Sequence, residues 1–326
     1  MVRGLVKEKL AKYPTPSAGL ALAIGSLGWC WENALPLNGM AQLASAIVAA
    51  IIVMLIFAKF VTNPKVLWSE LAHPVIGSVI PTFAMASMVI SASLVKFSPQ
   101  AGAALWYLAV TSHLIFLSIF SFNRIKVFKL IHMVPSWFVP PVGLVVAVLT
   151  LPNAAAATLA NGLLIFGISC YFVMLPMMLY RLIFAENITD TAKPTIAIMA
   201  APPSLCLAGY LSFIEQPHML LVLALLGIAI LMTMVIYMAF LHLLRLPFSP
   251  GYAAFTFPMV ISATALFKAR DYIATTALSA ELAQQLKTGA MVELFIATLV
   301  VGYVSYRYLA HFNIAGIGNK PAPVVV

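Results

Sequence analysis

Two ionisable side chains stand alone inside long apolar runs. Glu293 is the one acid well within such a run, and His113 is embedded in another. An intramembrane-type carboxyl or imidazole can relay protons or close a hydrogen bond between helices. Glu293 reads either way, as an interhelical or subunit-contact hydrogen bond or as a proton-coupling group. His113 reads as a satisfied core histidine or as a proton relay. Neither has a second His, Asp or Cys at metal-ligand spacing, so no metal and no cofactor is expected. Cys30, Cys170 and Cys206 are few, odd in number and widely spaced, which outlines no disulfide framework. No Walker A loop, dinucleotide fingerprint, nucleophile elbow or zinc-protease helix occurs, and polar residues do not cluster at one depth as a membrane enzyme would need. The chain is therefore not expected to be an enzyme. The residues with informative spacing are prolines: Pro81, the pair Pro140 and Pro141, the pair Pro202 and Pro203, and Pro258.

The elements that carry these residues follow from composition. Of 326 residues, 63% are hydrophobic and only 8% charged, against about 25% charged in a soluble domain. Mean hydropathy is +1.04. Too little polar surface is present to cover a water-soluble fold. An all-α integral membrane protein remains, because the apolar runs are continuous and near spanning length rather than alternating. Ten apolar segments are expected, at 15–34, 40–60, 74–95, 101–122, 135–151, 158–181, 194–214, 218–243, 250–267 and 288–308. They are referred to below as segments one to ten. They form a single transmembrane domain over 15–310, with tails at 1–14 and 311–326. With the N-terminus in the cytoplasm, 14 of the 18 Lys and Arg fall on the inside and only Lys96, Lys268, Arg270 and Lys287 outside. That is a strong positive-inside pattern, with both termini cytoplasmic in a plasma (inner) membrane. The net charge of +9 belongs to this bias and not to nucleic-acid binding.

The prolines repeat at 59, 62 and 56 residues, counted from Pro81 through Pro140 and Pro202 to Pro258. This is one helical hairpin per period, with the proline in the odd member; the even segments lack interior proline except for Pro176 in segment six. Segment one departs, with Pro14 and Pro16 at its start and Gly25 and Gly28 to loosen its middle. Broken helices cannot face lipid without unpaired backbone groups. The pattern predicts five hairpins, the odd helices as an inner ring around a pore and the even ones as an outer ring. Simple kinking of packed helices is the other reading. The breaks also predict half-helix starts near mid-membrane, where N–H groups could meet an anion. A residue before proline is steered from the α region, so Phe257 is expected to leave the helical track. It is either core packing or an apolar plug that gates by dewetting. His73, Lys126, Lys129 and Arg245 lie at cytoplasmic helix ends, as snorkelling anchors or as anion collectors at a pore mouth.

The runs His73-Pro74-Val75, Pro135-Ser136-Trp137-Phe138-Val139-Pro140, Ala200-Ala201-Pro202 and Phe255-Thr256-Phe257-Pro258-Met259 resemble, in order and spacing, the tellurite-resistance/dicarboxylate transporter family. That family includes the bacterial protein TehA and the slow-type anion channels of plant guard cells. The resemblance runs from Pro14 through segment ten. It implies ten helices as five hairpins, a homotrimer with one pore per protomer, and a pore phenylalanine at Phe257. Many members continue His-Pro-Val with Arg, where this chain has Ile76. The function expected is conduction of small inorganic anions such as chloride and nitrate across the lipid bilayer. A proton-coupled carrier of C4-dicarboxylates or related weak acids is the alternative.

Overall fold

Segments two, four, six, eight and ten are unbroken helices, and segments three, five, seven and nine are not. The computed structural model describes residues 2–276 and 280–312, so nearly all of the expected 311–326 tail lies outside the described residues. Every described element is helical. Eight helices are long and apolar enough to cross a membrane, and Pro135–Leu149 is a shorter apolar helix. Ser17–Ala34 covers segment one. The chain is an all-helical integral membrane protein. The expected N-terminal tail contains a further helix, Val2–Ala11, packed on Met40–Thr62.

The breaks in the odd segments fall at their prolines, whereas Pro176 of segment six lies within the continuous helix Ala157–Phe184. In segment three, Ile76–Val79 ends ahead of Pro81 and Thr82–Leu94 begins just after it. Segment five alternates short pieces: 3-10 turns at Pro135–Phe138 and Gly143–Val145, and α turns at Val139–Val142 and Val146–Leu149. Segments seven and nine open as 3-10 helix, Lys193–Ala200 and Pro250–Phe255. Each then tightens into α-helix at Ala201–Phe213 and Thr256–Ala274. The prolines of the last two lie in the first α turn, where the missing N–H has no partner to lose. Neighbouring hydroxyls satisfy carbonyls at the breaks: Thr82 donates to Val79 O (2.7 Å), Ser204 to Ala200 O (2.9 Å) and Thr256 to Ala253 O (2.6 Å). Segment one is not loosened by its glycines. Gly28 instead allows close approach to segment two, since a Cβ there would lie 2.2 Å from Ala41 O.

The two classes also differ in what they touch. Segments three, seven and nine are 72%, 72% and 78% buried, whereas segments two, four, six, eight and ten are 28–33% buried. Every exposed large apolar residue lies outside the five odd segments apart from their immediate ends. Segment one packs on three, three on five, five on seven, seven on nine, and nine back on one. Each even helix packs on the odd segment of its own hairpin.

Candidate functional site

Two cavities lie among the odd segments. One, of about 100 Å³, is lined by their N-terminal halves, for example Gly19, Thr82, Val142, Thr195 and Phe257. The other, of about 310 Å³, is lined by their C-terminal halves, for example Trp29, Val89, Thr150, Phe213 and Thr264. All five odd segments contribute to each, and no even helix contributes to either. Among the described residues, Phe257 is the single one that borders both. Phe257 is 8% exposed, and both spaces that it borders are large enough to hold water.

Phe257 does not leave the helical track as expected. It is the second residue of Thr256–Ala274, because the backbone change comes earlier, where Pro250–Phe255 ends. First-turn helical geometry aims the ring, and the 3-10 run ahead of it sets where that turn begins. Of the break prolines, Pro202 and Pro258 line the N-side cavity, while Pro81, Pro140, Pro141 and Pro203 line neither. Ile76, where the resemblance marks an arginine, lines the N-side cavity. Among the described residues, no ionisable one lines that cavity.

The two buried ionisable residues sit behind this lining. His113 is fully buried, and its Nε2 donates to Pro140 O at 2.8 Å. It thus pairs a backbone carbonyl at the double-proline break through Nε2, while its buried Nδ1 has no hydrogen-bond partner among the described residues. Glu293 accepts a hydrogen bond from Ser262 Oγ at 2.5 Å, and Ser262 pairs with Thr233 at 2.8 Å. This chain ties segments eight, nine and ten together five residues beyond Phe257. Glu293 has no basic partner among the described residues.

None of the four expected mouth residues lines either of these two cavities. Lys126 rests 3.9 Å over the Phe122 ring, as an anchor would. Lys129 and Arg245 are exposed. His73 is half-buried and its Nδ1 accepts from the N–H groups of Val75 and Ile76, both at 3.1 Å. It caps the start of segment three. Burial, and then the nearby Arg124 guanidinium, hold its imidazole below the usual histidine range.

A set of basic residues the sequence reading treated only as inside charge has a specific task. Lys59, Arg124 and Arg181 are buried near the C-terminal ends of segments two, four and six. Each donates to a carbonyl just before the odd segment of its own hairpin: Lys59 to Tyr13 O (3.0 Å), Arg124 to Ala72 O, and Arg181 to Ile131 O (3.1 Å). In the last hairpin Tyr308 donates to the carbonyl of Pro250, the first residue of segment nine, at 2.5 Å. Lys59 also meets Glu70 at 2.6 Å and Thr15 at 2.7 Å. The signal was visible as a basic residue recurring two or three positions before the end of three even helices.

The model of the voltage-dependent anion channel family matches residues 14–306. A protein of Methanocaldococcus jannaschii described as an uncharacterized transporter is 26% identical over 64% of this chain and 68% of its own length. A second uncharacterized transporter from the same organism is 24% identical over 59% of this chain and 62% of its own length. A match over nearly the whole membrane domain, on a fold whose odd segments enclose two cavities, settles the family. The chain belongs to the voltage-dependent anion channel family, the channels and transporters of the tellurite-resistance/dicarboxylate type.

Proposed function

We propose that this protein is a channel for small monovalent anions, chloride and nitrate among them, and that Phe257 is its gate. The observation that carries the reading is that, among the described residues, Phe257 alone borders both cavities. The odd segments form the pore ring and the even helices the outer ring, with ten spans, both termini in the cytoplasm of a plasma membrane, and three protomers per assembly. The burial contrast between odd and even segments supports the rings. The charge distribution supports the orientation, and the family resemblance supports the trimer. The N-side cavity then faces the cytoplasm.

The ring of Phe257 blocks water and ions alike while it stays between the cavities, since an apolar constriction dewets. Phe257→Ala should join the two spaces and raise anion conductance in planar bilayers by at least tenfold, with potassium excluded. If the ring were only packing, its loss would cost about 3–5 kcal/mol and lower the yield of folded protein without opening a path. Unchanged conductance in well-folded Phe257→Ala protein overturns the gate.

A second reading, a proton-coupled carrier of C4-dicarboxylates, is favoured by the Glu293–Ser262 bond on the helix that holds Phe257. The same bilayer recordings separate the two. A channel gives unitary current steps, and a carrier gives saturable flux without them.

A further inference from the structure

We propose that the C-side cavity is an anion-binding vestibule organised by Lys268, which sets affinity from the extracellular side. The proposal deepens the channel reading and rests on it for orientation.

Among the described residues, Lys268 is the only charged one lining either cavity. Phe257, Ile261, Thr264 and Lys268 all line the C-side cavity. Their spacing of four, three and four residues places them on one face of Thr256–Ala274. At 1.5 Å per residue, Lys268 stands about 16 Å along the helix from the gate. The stripe therefore runs from an apolar ring, past a hydroxyl, to an ammonium. Trp29, Asn33 and Ser26 contribute further polar edges from segment one.

The other outside cations are placed differently. Lys96 donates to Gln42 Oε1 at 2.5 Å. Arg270 pairs with Asp271 at 2.6 Å. Lys287 is exposed and lines neither cavity. Lys268 has no hydrogen bond or ion pair among the described residues, and no acid lines its cavity. A positive charge left uncompensated in a cleft with low-dielectric walls focuses its field and concentrates counter-ions there. The volume, about 310 Å³, admits an anion with part of its hydration shell. The N-side cavity is smaller and has no such charge. Anions are thus held while still partly hydrated on the outer side, and lose water only at Phe257. Weak binding of this kind permits release, which conduction requires.

Two experiments test this. In Phe257→Ala protein in bilayers, Lys268→Met should raise the half-saturating external chloride concentration by about tenfold. The internal concentration dependence should stay unchanged, and Lys268→Arg should restore the parent value. Lys96→Met is the control for general surface charge. Lys268→Met behaving like Lys96→Met, or like the parent, overturns the proposal. The second experiment needs no conduction. With Phe257 intact and the native cysteines replaced, Thr264→Cys is labelled with anionic and cationic impermeant thiol reagents. The anionic reagent should react faster, chloride or nitrate should slow it, and Lys268→Met should lower the anionic-to-cationic rate ratio about tenfold. A ratio that ignores Lys268 overturns the vestibule. A Lys268-dependent ratio in protein whose Phe257→Ala form does not conduct leaves the anion site standing and overturns only the channel.

Discussion

His73 shows how one side chain can read as a ligand in sequence and act as a cap in the fold. Its Nδ1 accepts two backbone N–H groups, so the cap requires an unprotonated Nδ1. Burial and Arg124 favour that neutral form. The folded-state pKa is lowered, so the unfolded chain binds more protons as the pH falls past the unfolded value of 6.5. The capping contribution is fully present above that pH and is lost as pH falls through the folded pKa. His73→Asn keeps an acceptor that does not titrate. Thermal unfolding in detergent should show His73→Ala less stable by about 1 kcal/mol at pH 8. His73→Asn should be close to wild type there and less sensitive than wild type between pH 7 and pH 5. A histidine that collected anions instead would make conductance, and not stability, follow this pH range. Phe257 and Ile76 belong to the same scale. Both line the N-side cavity, and one is helical although it precedes a proline, because that proline falls in a first turn.

At the scale of elements, each odd segment must begin in the right place for its break to fall in the right place. Lys59, Arg124, Arg181 and Tyr308 tie the ends of even helices to those beginnings. The Lys59 case is an ion pair between buried Lys59 and partly buried Glu70, and Thr15 completes it by donating to Glu70 at 2.6 Å. Removing one partner of such a pair leaves an uncompensated charge. Lys59→Met should therefore destabilise the protein by about 3–5 kcal/mol, and adding Glu70→Leu should recover much of that loss. Detergent unfolding midpoints of the two variants measure this. If the double variant were no better than the single, Lys59 would be needed for the Tyr13 carbonyl and for packing more than for Glu70. The same logic explains His113. It lies on an even helix but is oriented by a carbonyl at an odd-helix break, a partnership that sequence spacing of 27 residues does not announce.

For the whole molecule, the proposed orientation can be tested in one scheme. The short loop near Gln216 joins segments seven and eight, and the stretch near Asp190 joins six and seven. Asp190 is exposed and held below the usual carboxylate range by its bond to Lys193. A cysteine introduced at Gln216 should react with an impermeant thiol reagent added outside intact cells. One at Asp190 should react only after permeabilisation. The reverse result would move every loop together and turn the N-side cavity outward, because the topology follows from the alternation of charge as a unit. It would also place Lys268 on the cytoplasmic side.

Composition, run length and proline period were enough to read the all-helical membrane class, the hairpin pairing and the odd–even distinction. Those properties are local or periodic: an apolar run spans lipid by its own length, and a recurring proline marks where regular helix geometry changes. Phe257 also stood out in sequence, through its place before Pro258 and its family context. What surrounds it did not. That Phe257 borders both cavities, that Lys268 shares its helix face within one of them, and that His73, Lys126, Lys129 and Arg245 line neither follow only from the packing of five segments far apart in the chain. The same holds for the carbonyls that Lys59, Arg124 and Arg181 find. A side chain's partner across a cavity or a helix interface is set by where other segments come to rest. A single helix carries no record of that, because each polar side chain could be satisfied by any carbonyl, lipid headgroup or water within its reach.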